Sequence, residues 1–494
     1  MQKHPRSDLA WVGEELKYLD LKDKRLERRA QKILGEFFSQ PGSSIPRACG
    51  DWAGSKAAYR FFDNERVQSE ALLKSHRSRS LERMKEHRVI LAVQDSTSIN
   101  YSSHPWTKGL GPIGSHPQHQ GLLMHTTLAL TTEGQCLGVI DTQIKARRSL
   151  RTARERKAKI NRLAVEEKES RKWLDGFEAA RQSAQELPAE SNVVTVCDRE
   201  GDLYELLLLG QKHRGRADVL VRAVCRRRVS GEERFLWDLV AAEEPLGLQK
   251  VQVPRQPGTA TSEVTLEIRC RQVELAPPRD KARNYDQEES VVVWAIEARQ
   301  VIPYGAKKPI CWRLLTSIPT ENLAQACEKI AWYTQRWQIE IFHKILKSGC
   351  RIETRQLESA TRLSRALALD LMVAWRILAL SREGRLDPTQ LCTSLLSEQE
   401  WQILYCSIHR GKALPATIPR LDEAIKWIAR LGGFLGRKGD GFPGPMTLWR
   451  GLQRLNDLCA GSSINNQLLK LVGNAEAEAR PQSGEDAHPK NWGP

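Results

Sequence analysis

Three carboxylates at widely separated points of the chain are the residues best suited to chemistry. Asp95 follows the apolar run 89–93, Asp198 follows a second apolar run that starts at residue 192, and Glu340 lies in a helical segment much later in the chain. Hard carboxylate oxygens hold Mg²⁺ or Mn²⁺ and leave coordination positions open for water and phosphate. Two such ions can activate an attacking oxygen and stabilise a leaving one. The residue types therefore indicate phosphoryl transfer.

Each aspartate also has a simpler explanation. Asp198 could cap a helix that begins near Gly201, and Asp95 could nucleate a turn into Ser96. Four histidines cluster after Asp95, namely His104, His116, His119 and His125. They have neither an elbow motif nor the spacing of metal ligands, so we interpret them as ordinary loop residues.

One face of a long predicted helix, 322–347, carries four chemically active side chains. They are Tyr333, Arg336, Glu340 and Lys347. At about 100° per residue they point within roughly 60° of one another. They span about 21 Å along the helix axis, which suits several nucleotides of a phosphate backbone better than one small ligand. The alternative is a solvated helix face on which Arg336 and Glu340 form an i, i+4 ion pair.

The elements that must position these residues predict an α/β fold with a mixed sheet. The apolar and alternating runs that indicate strands are 89–93, 122–132, 136–144, 192–197, 218–224 and 311–317. A Glu-Gly-Gln turn at 133–135 predicts a hairpin between the second and third of them. Short alternating strands between about 226 and 306 indicate an inserted β subdomain, and helical segments flank both ends of the chain.

Length and charge narrow the class of protein. A chain of 494 residues is too long for one core and predicts two to four domains. We place them at 1–68, 69–386 and 387–473, followed by a disordered tail at 474–494. Lys and Arg outnumber Asp and Glu by 76 to 60, and the resulting charge of +16 favours a polyanionic partner such as nucleic acid. The basic run 145–162 contributes to this charge.

Other sequence features argue against a membrane or secreted protein. The longest apolar run, 366–380, is interrupted by Asp370 and Arg376 and is shorter than the roughly 20 residues of a spanning helix. The first thirty residues lack the charged, apolar and small-residue order of a signal peptide. The eleven cysteines are odd in number and scattered, which is typical of reduced, cytosolic thiols. We therefore expect a cytoplasmic protein.

Several motifs match one known family. The string YTQRWQIEIFHKILK has the pattern Tyr-x2-Arg-x3-Glu-x6-Lys, and VQDSTSINY and VCDREGDLYE surround Asp95 and Asp198. Further matches are KAAYRF, EKESRKWL, WRLLTSIP and AIKWIARLGGF. On these motifs the chain resembles the DDE transposases of bacterial insertion sequences, in particular the cut-and-paste group that includes the transposase of the kanamycin-resistance composite transposon. The resemblance extends from the first helices to about residue 460.

The resemblance implies an architecture and a reaction. It implies a ribonuclease-H-like catalytic core with a β insertion, an N-terminal region that contacts transposon-end DNA and a C-terminal helical region for dimerisation. Asp95, Asp198 and Glu340 would hold Mg²⁺, with Mn²⁺ as a substitute and two ions in each site. A homodimer would pair two inverted-repeat ends, nick them, form and open hairpins, and transfer the 3′ ends into target DNA.

The resemblance also assigns residues to DNA. Tyr333, Arg336 and Lys347 would hold the end near the cleavage point. Trp312 would stack on a base flipped out during hairpin formation, although a core strand position would also explain this tryptophan. Arg60 and Arg222 match positions that contact end DNA.

Two other functions stay open. A catalytically inactive or inhibitory relative would bind ends without cutting them, but the intact carboxylates and the KAAYRF motif argue against it. A ribonuclease-H-like repair nuclease would need neither Trp312 nor the Tyr-Arg-Glu-Lys face, because it forms no hairpin. We therefore favour an active transposase.

Overall fold

The computed structural model divides the chain into two units, residues 1–388 and 389–494. The described residues are 10–114, 116, 118–147, 169–253, 262–278, 289–301, 309–386, 389–437 and 440–478. Most of the basic run predicted at 145–162, and the predicted tail beyond residue 478, lie outside them.

Helices form the N-terminal part of the first unit. They are α1 (Ala10–Glu15), α2 (Lys24–Ser39), α3 (Ile45–Cys49), α4 (Trp52–Asp63) and α5 (Ser69–Met84). Side-chain caps set two of their starts, because Asp23 accepts a hydrogen bond from the N–H of Arg25 and Asp51 accepts one from the N–H of Gly54. The helical segment that the sequence predicts at the N-terminal end is confirmed.

A ten-stranded mixed sheet follows. Its strands are β1 (Val89–Asn100), β2 (Gly111–Pro112), β3 (Gln120–Thr131), β4 (Cys136–Lys145), β5 (Asn192–Cys197), β6 (Ala217–Arg222), β7 (Gly247–Val253), β8 (Ser262–Leu275), β9 (Val291–Gln300) and β10 (Cys311–Thr316). The strand order is β2-β3-β1-β5-β6-β10-β9-β8-β7, and β4 pairs with β3. β1, β5 and β6 pair in parallel, whereas β1 with β3 and β6 with β10 are antiparallel. The predicted α/β class with a mixed sheet is confirmed.

The remaining helices of the first unit pack around this sheet. They are α6 (Arg171–Gln185), α7 (Tyr204–Lys212), α8 (Leu236–Ala241), α9 (Leu323–Gln335), α10 (Trp337–Lys344) and α11 (Ala360–Leu386). Trp173 and Phe177 of α6 are buried against β5 and β6, and α11 contacts α5 and β4. Among the described residues, no helix is both long and apolar enough to cross a membrane.

Two local predictions need correction. First, the strand predicted at 89–93 does not end before Asp95, because β1 continues to Asn100 through antiparallel pairing with β3. Second, the predicted helix 322–347 is divided at Arg336 into α9 and α10, and a π turn follows over Ile345–Gly349.

The β insertion predicted between about 226 and 306 contains β7, β8 and β9, and these strands extend the main sheet.

The predicted hairpin at 133–135 is confirmed. It connects β3 to β4, and Gly134 adopts a φ of 87°, a left-handed conformation that costs glycine little.

The second unit is helical, as the sequence predicts. It contains α12 (Glu398–Ile408), α13 (Leu421–Leu431) and α14 (Pro445–Glu478). Ser397 and Glu400 form a capping box at the start of α12. Residues 474–478, which the sequence places in the tail, belong to α14 in the structure.

Candidate active site

Two neighbouring parallel strands position Asp95 and Asp198. The parallel pairing of β1 with β5 runs as far as Val93 and Val196. Asp95 lies two residues past that point, and Asp198 directly follows the end of β5. The carboxyl ends of adjacent parallel strands meet at one edge of a sheet, where α/β proteins commonly bind ligands. Both aspartates therefore lie at the same edge.

Local hydrogen bonds orient both carboxylates. Oδ1 of Asp198 accepts a hydrogen bond from the N–H of Glu200 at 2.9 Å, which caps a 3₁₀ turn over Arg199–Gly201. Oδ1 of Asp95 accepts one from the N–H of Ser96 at 2.8 Å. The capping of a turn by Asp198 and the local contact of Asp95 with Ser96 are thus both present. These hydrogen bonds restrain the two carboxylates and are compatible with a further role in metal binding.

Arg336 connects the third carboxylate to the first. Its guanidinium donates to Oε1 of Glu340, and Nη1 lies 3.8 Å from Oδ2 of Asp95. The side chain of Arg336 is only 12% exposed. The expected i, i+4 pair of Arg336 with Glu340 is therefore present, but it belongs to a bridge between two elements rather than to a solvated helix face.

The pKa of Asp95 shows that the three carboxylates share one electrostatic environment. Burial raises the pKa of Asp95 to about 6, and the negative charges of Asp198 and Glu340 act in the same direction. The Ser96 N–H and the guanidinium of Arg336 oppose this shift. A cation placed among these groups would relieve the repulsion between them.

The donor set suits a hard divalent cation. All three side chains offer carboxylate oxygens, which Mg²⁺ and Mn²⁺ prefer. In the described part of the chain no three acidic, histidine or cysteine side chains are close enough to hold an ion as they stand. Arg336 lies between Asp95 and Glu340 and contacts both carboxylates, so the fit to a metal rests on the chemistry of the donor set.

Lys347 lies in the π turn that follows α10, which gives it a different placement from the predicted helix face. Its Nζ is 4.0 Å from Oε1 of Glu353. The same Glu353 oxygen accepts a hydrogen bond from the N–H of Asn100 at 2.8 Å, at the end of β1. Glu353 therefore connects the turn that carries Lys347 to the strand that carries Asp95. Nothing in the sequence pattern indicated this role.

Trp312, Tyr333 and Arg222 come together on neighbouring elements. Trp312 is half-buried in β10, and its ring centroid lies 6.2 Å from that of Tyr333 in an edge-to-face arrangement. Tyr333 is buried, with 6% of its surface exposed. Arg222 of β6 pairs with Leu314 of β10, two residues from Trp312, so Arg222 and Trp312 lie on the same face of the sheet.

Arg60 is placed apart from these groups in the fold. It is exposed near the end of α4, in the N-terminal helical region. No described hydrogen bond or ion pair joins it to the three carboxylates. The structure thus brings Asp95, Glu340 and Arg336 into contact and places Asp198 at the same sheet edge, and it shows no such contact for Arg60 among the described residues.

A buried polar chain next to Asp95 was missed by the sequence reasoning. His125 is not a loop residue but lies in β3, where its Nδ1 is hydrogen-bonded to Oγ of Ser96 at 2.9 Å and its Nε2 to Gln94 at 3.1 Å. Burial lowers the pKa of His125 to about 3, so the ring is neutral. These hydrogen bonds hold β1 in place on either side of Asp95. Register with β1, which places His125 opposite Ser96, is the signal that could have found it.

Three family models match successive parts of the chain. They are described as Transposase DNA-binding (residues 8–67), Transposase DDE domain (138–376) and Transposase Tn5 dimerisation domain (372–467). The DDE match includes Asp198 and Glu340 and begins after Asp95. A solved structure, described as a cryo-EM structure of the piggyBac transposase synaptic complex with hairpin DNA, matches at 9% identity. That match covers 98% of this chain and 79% of the other with a TM-score of 0.31, which is too low to carry weight.

The family models agree with the mixed sheet and its flanking helices in indicating a ribonuclease-H-like DDE core. The first and last models add DNA binding and homodimer formation. The chain therefore belongs to the Tn5-like DDE transposases, enzymes that cleave DNA, transfer its strands and generally depend on divalent metal ions.

Proposed function

We propose that this transposase moves an insertion sequence by a cut-and-paste route. The steps are nicking of the element's ends, hairpin formation, hairpin opening and transfer of the 3′ ends into target DNA. The observation that carries the proposal is the placement of Asp95 and Asp198 at one edge of the sheet, with Arg336 joining Asp95 to Glu340. Carboxylates grouped in this way can hold metal ions that activate the attacking oxygen and stabilise the leaving oxygen in phosphoryl transfer.

In this proposal Asp95, Asp198 and Glu340 hold two Mg²⁺ ions, for which Mn²⁺ can substitute. When bound, the ions would supply Lewis-acid activation of the attacking oxygen and stabilisation of the leaving oxygen. The protein's own contribution is orientation. Ser96 and Glu200 restrain the two aspartates through their backbone N–H groups.

Cationic and aromatic side chains around the carboxylates would position the DNA end. Arg336 and Lys347 would contact phosphates next to the cleaved bond, and Tyr333 would support Trp312 from the side. Arg222 lies on the same sheet face as Trp312 and would contact the end there. Arg60, exposed on α4, would contact the end further from the reacting phosphate.

The substrate would be double-stranded DNA, first as terminal inverted repeats and then as target. The dimer would hold two ends in one paired complex, through the second unit. We place this activity in the bacterial cytoplasm, on the nucleoid.

Trp312→Ala should slow the reaction at the hairpin step. Stacking of a flipped base on an aromatic ring is worth roughly 1–3 kcal/mol, so hairpin formation should fall by about five- to 150-fold. The first nick should persist, because no carboxylate changes. Denaturing gels resolve the two products, since hairpinned ends migrate at twice the strand length. Trp106→Ala is the matched control, because Trp106 is 89% exposed in a loop outside the site.

Wild-type protein that releases ends without any hairpin would contradict the proposed route. Loss of the first nick in Trp312→Ala, with Trp106→Ala active, would instead give Trp312 a structural role. Wild-type protein that binds ends and never nicks them would favour the inactive relative.

A further inference from the structure

Arg336 occupies a position that conflicts with its proposed contact with DNA. Its guanidinium lies between Asp95 and Glu340, with 12% of the side chain exposed. Both carboxylates are proposed metal ligands. With so little of the side chain exposed, few of its N–H donors are open to a phosphate.

We propose that Arg336 is the counter-ion of the metal-free site and competes with the metal ions for Asp95 and Glu340. On this view the guanidinium leaves the carboxylates when the metal enters and moves to a DNA phosphate. The inference rests on the proposed function, since it takes these carboxylates to be the metal ligands.

Charge and geometry support the competition. A divalent cation that binds Glu340 would replace the charge-assisted hydrogen bond from Arg336. An ion shared by Asp95 and Glu340 would also face the positive charge of the guanidinium at short range. Asp95 and Glu340 therefore cannot bind Arg336 and the metal at full strength at the same time. Arg336 lies between α9 and α10, and its guanidinium contacts both carboxylates of this pair.

The competition couples metal binding to DNA binding. A DNA phosphate that draws Arg336 away removes the competitor and so increases metal affinity. By linkage, metal then increases the affinity for the DNA end by the same factor. The free protein would thereby hold metal weakly, and the site would fill fully only when an end is present.

Mn²⁺ binding, measured by electron paramagnetic resonance on the full chain without DNA, tests the proposal. Arg336→Gln should lower the Mn²⁺ dissociation constant by about tenfold, because a hydrogen bond to a charged group that the metal must break is absent. Lys347→Gln is the matched control. It also removes one positive charge near the site, but Lys347 pairs with Glu353 rather than with a proposed ligand. The control should change the constant much less.

A second measurement tests the coupling between metal binding and DNA binding. Adding a duplex with the terminal inverted repeat should tighten Mn²⁺ binding to the wild-type protein, and this gain should shrink in Arg336→Gln. If Arg336→Gln fails to fold, Arg336→Lys replaces it. The ammonium group lacks the planar fork of the guanidinium, so it should compete less well with the metal and give an intermediate constant.

Equal or weaker Mn²⁺ binding by folded Arg336→Gln, relative to Lys347→Gln, would overturn the inference. If Mn²⁺ binding is then still lost in Asp198→Asn, the proposed metal site is retained and only the proposed competition by Arg336 is wrong. If Asp198→Asn leaves Mn²⁺ binding unchanged, the proposed metal site fails with it.

Discussion

Asp198→Asn should abolish DNA cleavage and leave binding of the transposon end intact. Asparagine keeps an Oδ1 that can accept the Glu200 N–H, so the 3₁₀ turn is retained. What is lost is one negative charge of the carboxylate cluster. Because bound metal supplies several kcal/mol of charge stabilisation in the transition state, the cleavage rate should fall by at least about a thousandfold.

Two assays separate these effects. End binding is measured by gel shift without divalent metal, so that coupling between metal and DNA does not contribute, and cleavage is measured in Mg²⁺. Glu200→Gln is the control, because it makes the same charge change two residues away on a side chain that is 68% exposed. The control should cleave at close to the wild-type rate. Loss of end binding in folded Asp198→Asn would contradict this division of roles.

Asp370→Asn should cause the largest loss of stability in the first unit. Arg355 donates from Nη2 to Oδ1 of Asp370 at 2.6 Å and from Nε to Oδ2 at 2.9 Å, and both residues are buried. The guanidinium also donates to the carbonyl of Ser43 and lies 3.9 Å from the ring centroid of Phe37. Removing one partner leaves a buried charge without its counter-ion, which costs about 3–5 kcal/mol.

Chemical denaturation of the variants measures this loss. Asp20→Asn is the control, because it breaks the exposed ion pair with Lys22 and should leave the unfolding midpoint unchanged. A double variant, Asp370→Leu with Arg355→Met, should recover much of the stability, since paired apolar groups replace a buried ion pair at little cost. A midpoint of Asp370→Asn equal to that of Asp20→Asn would show that this pair does not hold α11 in place.

The sequence predicted which helices and strands carry the site better than it predicted where they begin and end. The apolar run before Asp95 indicated a buried strand, but β1 continues through the mostly polar segment Ser96 to Asn100. Hydropathy detects only the buried half of such a strand, and the rest depends on pairing with β3, which is a long-range contact.

The break at Arg336 was not predictable from local propensity. The segment from Tyr333 to Glu340 contains neither glycine nor proline, so propensity predicts one uninterrupted helix. In the structure, hydrogen bonds at this point join residues three apart instead of four. The N–H of Arg336 donates to the carbonyl of Tyr333, and the N–H of Ile339 donates to the carbonyl of Arg336. The contact of the guanidinium with Asp95 depends on tertiary structure.

Cleavage of a plasmid that carries two copies of the terminal inverted repeat tests the central claim most directly. The claim is that Asp95, Asp198 and Glu340 form one cation-dependent site for cutting DNA. Wild-type protein should release the intervening fragment with Mg²⁺ or Mn²⁺ and release none with chelator. Glu340→Gln should bind the ends and release no fragment. Release by Glu340→Gln at the wild-type rate, or by wild-type protein in chelator, would contradict the claim.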